Sequence, residues 1–109
     1  MNFVRVAVKS EVAENSMIAI TVNGKEILLA NIAGVFYAIA NKCTHVGGPL
    51  AKGTLDGFVV TCPKHGARFD VRTGEAVGEA KIGFIKLKVK DELSYPVKIE
   101  GEDILVGIG

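Results

Sequence analysis

Apolar and polar residues alternate in short runs along most of this chain, and apolar positions rarely recur at helical spacing. The opening stretch, Met1 to Lys9, alternates in this way and reads as a strand. Ile18 to Val22, then Asn23-Gly24, then Ile27 to Leu29 form the strongest hairpin signal. Asn-Gly readily supplies the positive φ of a type I′ turn, although Lys25 and Glu26 leave the register open. Val35 to Ala40 and Phe58 to Thr61 read as strands, each running into a Cys-containing loop, with Asp56-Gly57 as the turn before the second. Ala67 to Val71 leads away from that loop, and Thr73-Gly74 turns the chain back. Phe84 to Lys90 alternates apolar residues with Lys86, Lys88 and Lys90, a half-exposed strand whose lysines solvate or protect an edge. Tyr95 to Ile99, a turn at Gly101-Glu102-Asp103, and Ile104 to Val106 read as a closing hairpin. Only Ser10 to Ser16 and Gly47 to Thr54 leave room for helix, both short. The pattern predicts an all-β protein.

The 109 residues fit a single domain over 1–109 and suffice for a modest core. A net charge of +1 gives no electrostatic case for nucleic acid or an acidic membrane surface. Lys42, Lys64 and Arg68 lie within or beside the Cys-containing loops and read equally as a local basic rim or as ordinary solvated charge. The most apolar stretch, Ile27 to Ala40, is 14 residues long, broken by Asn31 and Gly34, and too short to span a bilayer. The start lacks the basic region, apolar core and cleavage site of a secretory leader. No membrane anchor is expected.

Candidate chemistry is concentrated in Cys43-Thr44-His45 and Cys62-Pro63-Lys64-His65, with sixteen residues between His45 and Cys62. These clusters use both cysteines and both histidines of the chain. Such a donor set suits a tetrahedral zinc, or a [2Fe–2S] cluster held by Cys on one iron and His on the other. Two ligand cysteines with no spare pair also suit a reducing cytoplasm.

The stretches Cys43-Thr-His-Val-Gly-Gly-Pro-Leu50 and Cys62-Pro-Lys-His-Gly-Ala-Arg-Phe-Asp70, continued by Val71-Arg-Thr-Gly74, resemble the Rieske [2Fe–2S] family. That family carries a C-x-H-x-G loop, a C-P-x-H-G loop, and F-D-x-x-T-G downstream. The resemblance implies that residues 1–109 form an antiparallel β-sandwich of three small sheets with two cluster-binding loops at one tip, the cluster-binding portion spanning about residues 41–78. It implies that Cys43 and Cys62 bind one iron and His45 and His65 the other. Gly47, Gly48 and Gly66 would let backbone N–H groups approach the sulfurs, and Pro49 and Pro63 would stiffen the loops. The chain is similar to soluble Rieske ferredoxins, which implies a non-enzymatic one-electron carrier, monomeric or weakly oligomeric, between a reductase and an oxygenase or other acceptor. A small subunit of a larger oxidoreductase and a zinc-stapled module are the alternatives.

High-potential family members carry an extra Cys in each loop, and a Ser and a Tyr after the second. Here those positions are Gly48, Lys64, Ala67 and Phe69. The resemblance therefore implies a potential at the low end of the Rieske range, about −150 mV to 0. The departure from the family pattern lies at Ala80 to Glu92, where many members place a Pro-containing connection.

Overall fold

Apolar alternation broken by glycine-centred turns produces a chain of strands. The computed structural model describes residues 2–42, 48–64, 66–78, 80–82, 85–87 and 89–108, with 80–82 and 85–87 by backbone alone. The strands are β1 (Asn2–Val8), β2 (Ser16–Val22), β3 (Lys25–Ile32), β4 (Val35–Ala40), β5 (Thr54–Asp56), β6 (Val59–Thr61), β7 (Arg68–Asp70), β8 (Ala76–Gly78), β9 (Ala80–Ile82), β10 (Ile85–Leu87), β11 (Ser94–Tyr95), β12 (Val97–Glu100) and β13 (Asp103–Ile108). Two short 3-10 turns, Lys9–Glu11 and Leu50–Lys52, fall within or at the edge of the regions with room for helix.

Three antiparallel sheets stack around two cores. The central sheet runs β11-β4-β3-β2, one outer sheet β5-β6-β7-β8, and the other β1-β13-β12. β9 and β10 form a separate two-stranded ribbon. β3 is the shared wall, buried from Ile27 to Ile32 on both faces. Successive strand residues point to opposite faces. Leu28, Ala30 and Ile32 therefore join Ile39 in one core with Leu50, Val60, Cys62, Ala67, Phe69 and Val71. Ile27 and Leu29 enter the other with Phe36, Ala38, Ala7, Val12, Ile104, Val106 and Ile108.

The turns follow from local sequence. Asn23 (φ 50°) and Gly24 (φ 78°) form the two-residue connection, and Val22 pairs with Lys25, which closes the register the sequence left open. Ala33 (φ 53°) and Gly34 (φ 88°) make a second such turn, with Ile32 paired to Val35. The apolar stretch Ile27 to Ala40 is thus a hairpin folded on itself. Tyr95 departs from expectation. It pairs with Ala38 of β4 in the central sheet, and the closing hairpin is β12–β13 alone. Pro96, which lacks an N–H, separates the two pairings. Of the expected strand Phe84 to Lys90, β10 is present over Ile85–Leu87; Phe84 and Lys88 lie outside the described residues.

Candidate metal centre

The first loop leaves β4 through Asn41 and Lys42. Asn41 is buried, and its N–H donates to the Glu26 carbonyl at 3.0 Å. Lys42 is bridged antiparallel to Pro49, so the chain departs and returns side by side. The Asn41 carbonyl accepts from the Leu50 N–H at 3.3 Å, and Asn41 Oδ1 accepts from the Ala51 N–H at 2.8 Å. Between these fixed ends lie Cys43, His45 and Gly47, which are outside the described residues.

The second loop leaves β6 through Cys62. That cysteine is 2% exposed and packs in the core that holds Leu50, Val60, Ala67 and Phe69. Its N–H donates to the Ala67 carbonyl at 2.7 Å, which closes the base of the loop. Pro63, Lys64 and Gly66 on the crest are exposed, and Gly66 takes a φ of 70° that favours glycine. His65 lies outside the described residues. A sulfur donor rooted in a core beneath an exposed loop fits a cofactor held dry on one side and reached by electrons from the other. The chemistry of the donor set, two thiols and two imidazoles, fits a mixed Cys/His cluster.

The letters after the second loop serve the fold. Phe69 is fully buried. Asp70 caps the reversal from β7 to β8: its carbonyl accepts from Gly74 N–H at 2.7 Å, and its Oδ1 accepts from Arg72 N–H at 2.8 Å. Thr73 Oγ1 accepts from Glu75 N–H at 3.1 Å. Gly74 sits at φ 82°, where a Cβ would overlap the Glu92 carbonyl oxygen. The F-D-x-x-T-G letters are therefore a turn that reverses the chain from β7 to β8, at the end of the β6–β7 ladder away from Cys62. The Arg72 guanidinium grips Asp70 with both ends, Nε to Oδ1 at 3.1 Å and Nη2 to Oδ2 at 2.8 Å, and lies 4.0 Å over the Phe58 ring. That hydrogen-bonded pairing lowers the Asp70 pKa below its usual 3.8 and raises that of Arg72.

Of the site residues expected from sequence, Cys62 is placed by the structure, while Cys43, His45 and His65 fall outside the described residues. Gly48 is buried at the return of the first loop, and Ala67 and Phe69 are fully buried around Cys62. Lys42, Lys64 and Arg68 are exposed, as is Lys52. Sequence reasoning passed over Asn41 and Gly53, which organise the loop ends. The available signal for Asn41 was a polar residue at the end of an apolar strand, followed at once by a candidate ligand loop.

Residues 2–86 match the family model for the Rieske [2Fe–2S] domain. The ferredoxin component of the naphthalene 1,2-dioxygenase system of Pseudomonas aeruginosa is 38% identical over 98 residues, covering 90% of this chain and 88% of that one. The ferredoxin of carbazole 1,9a-dioxygenase from Nocardioides aromaticivorans superposes with a TM-score of 0.83 at 31% identity, covering 97% of each chain. A chain in the complex of reduced oxygenase and oxidised ferredoxin in carbazole 1,9a-dioxygenase superposes with a TM-score of 0.80 at 26% identity, covering 95% of this chain and 91% of that one.

Proposed function

The chain belongs to the Rieske [2Fe–2S] family, and from that premise we propose that it is a one-electron carrier that accepts electrons from a reductase and delivers them to an oxygenase or another terminal oxidoreductase. A Rieske-type [2Fe–2S] cluster is its cofactor. Cys43 and Cys62 hold one iron by thiolate, and His45 and His65 hold the other by neutral imidazole. When bound, the cluster supplies a reversible one-electron store whose potential lies above that of all-Cys plant-type clusters.

The observation that carries this reading is Cys62 itself. Its side chain is rooted in the core, its backbone closes the second loop through Ala67, and the loop crest faces solvent. The chain contributes a dry, fixed anchor on one side and an exposed edge for a partner on the other. Similarity to ferredoxin components of dioxygenase systems supports an oxygenase as the acceptor. The whole chain acts as one unit around the cluster, as a monomer or weak oligomer. Among the described residues no helix is long and apolar enough to cross a membrane. The cytoplasm is the compartment we assign, since it keeps such thiols reduced.

The test is electron paramagnetic resonance before and after dithionite, with iron and sulfide analysis on the same sample. A silent oxidised form and a rhombic signal of low average g on reduction, with about two irons and two sulfides, support the carrier. A colourless protein holding one zinc overturns it. Transfer is then tested by mixing the reduced protein with a dioxygenase's oxygenase component. Loss of the signal with turnover of that component is the expected result.

A further inference from the structure

The bases of the two loops meet on one short helical turn. Leu50–Lys52 lies between the return of the first loop and β5. On one side it is tied to Asn41, through Ala51 N–H to Oδ1 at 2.8 Å and Leu50 N–H to the main-chain carbonyl at 3.3 Å. On the other side Gly53 N–H donates to the Leu50 carbonyl at 2.9 Å, and the Gly53 backbone presses so closely on Thr61 that a Cβ would overlap the Thr61 carbonyl oxygen. Leu50 is fully buried in the same core as Cys62. The residue two before Cys43 and the residue one before Cys62 are thereby held against the same turn.

Asn41 is one of three buried polar or charged residues among those described. Burying a carboxamide is costly unless it is hydrogen-bonded. Here its oxygen satisfies a donor in the first residues of a helical turn, which the turn itself leaves without a partner. Removing that oxygen strands the Ala51 N–H and loosens the tie between the first loop and the turn.

We propose that Asn41 is a positioning residue for the cluster, setting the separation of the two ligand loops through the Leu50–Lys52 turn. This rests on Cys43 and Cys62 being ligands. Without the Asn41 oxygen the loops sample a spread of separations. The spread broadens the spectrum of the reduced protein and hastens loss of the cluster, while the sheets persist.

Asn31 provides a matched control. It is equally buried, and it makes two comparable bonds, Nδ2 to the Val12 carbonyl at 2.8 Å and Oδ1 from Gly34 N–H at 2.9 Å. It sits beside the β3–β4 turn, at the opposite end of that hairpin from Asn41. The experiment compares holoprotein carrying Asn41→Ala, Asn41→Asp or Asn31→Ala. The readouts are the resonance linewidth after reduction and the half-life of the visible colour in EDTA, with circular dichroism to verify the sheets. Asn41→Ala is expected to broaden the signal and shorten the half-life about tenfold, the scale of one lost buried hydrogen bond. Asn41→Asp, which keeps the acceptor oxygen, restores most of the half-life, and Asn31→Ala leaves both readouts at wild type. If Asn41→Ala does not accumulate, Asn41→Leu or Asn41→Ser takes its place under the same criteria. A wild-type spectrum and half-life in Asn41→Ala, equal loss in Asn31→Ala, or no rescue by Asn41→Asp overturns the proposal. A wild-type protein without the cluster signal overturns the ligand assignment, and this proposal with it.

Discussion

Ala67 and Phe69 are fully buried in the core that contains Cys62, and neither side chain carries a hydrogen-bond donor. A donor beside cluster sulfur stabilises the reduced, more negative state and so raises the potential. The expected potential is therefore about −150 mV to 0, and a redox titration above roughly +200 mV contradicts the assignment. Ala67→Ser adds a hydroxyl at a position whose backbone is already pinned by its bond with Cys62. Its potential should rise, and an unchanged titration would mean that the hydroxyl does not reach sulfur. Phe69→Ala tests packing instead. Removing a fully buried ring should cost about 3–5 kcal/mol, read as a lower denaturant midpoint.

At the scale of elements, the turn from β7 to β8 carries its own test. The folded-state pKa of Asp70 is lowered, chiefly by its hydrogen bond with Arg72. The pairing contributes stability that is fully present above the unfolded value of 3.8 and is lost as pH falls through the lower folded value. Asp70→Asn should therefore lower the melting temperature at neutral pH and narrow its gap to wild type as the solution is acidified below that value. Equal gaps at both ends of the range would remove the Asp70–Arg72 pair as the cause. Gly74→Ala should destabilise strongly, since it combines a left-handed backbone with overlap on the Glu92 carbonyl. How far these elements were legible in the sequence depended on how local their cause was. Asn23-Gly24 was readable because its turn chemistry resides in the two residues themselves. Ala33 was not, because alanine gives no sign of a positive φ, and the neighbouring strands impose it. Tyr95 was assigned to the wrong hairpin because apolar alternation shows that a residue is in a strand without showing which strand it pairs with. Asn41 and Gly53 owe their roles to close approach of Ala51 and Thr61 across intervening loops and strands, which no local pattern records. The two Cys/His segments stood out because a mixed-donor cluster would demand particular residue types at fixed spacing.

For the whole molecule, charge is distributed unevenly about the loop-bearing end. Residues 41–69 carry Lys42, Lys52, Lys64 and Arg68 against one acid, Asp56, while the whole chain is only +1, so the remainder is net acidic. All four cations are exposed, and the ion pairs among the described residues, Arg5–Asp103, Arg72–Asp70 and Lys98–Glu100, include none of them. Asp56 sits at the far end of its strand, paired with Val59, whereas Thr54 lies beside Thr61 at the Cys62 end. Salt screens such exposed charges over a Debye length of about 8–10 Å at ordinary ionic strength, so their effect on an approaching partner depends on salt. Exposed cations in this segment predict a salt-dependent attraction for an acidic surface on the acceptor. Small oxidants of opposite charge isolate this effect from shape. Oxidation of the reduced protein by ferricyanide should slow as salt is added, and oxidation by a tris-phenanthroline cobalt(III) cation should quicken. Lys64→Glu, on an exposed crest with no core contact to lose, should flatten the ferricyanide slope and slow the low-salt rate by about tenfold, within the range of electrostatic steering. If both oxidants show the same salt dependence, electrons leave through a part of the surface away from these cations, and the acceptor's complementary charge must be sought against that part instead.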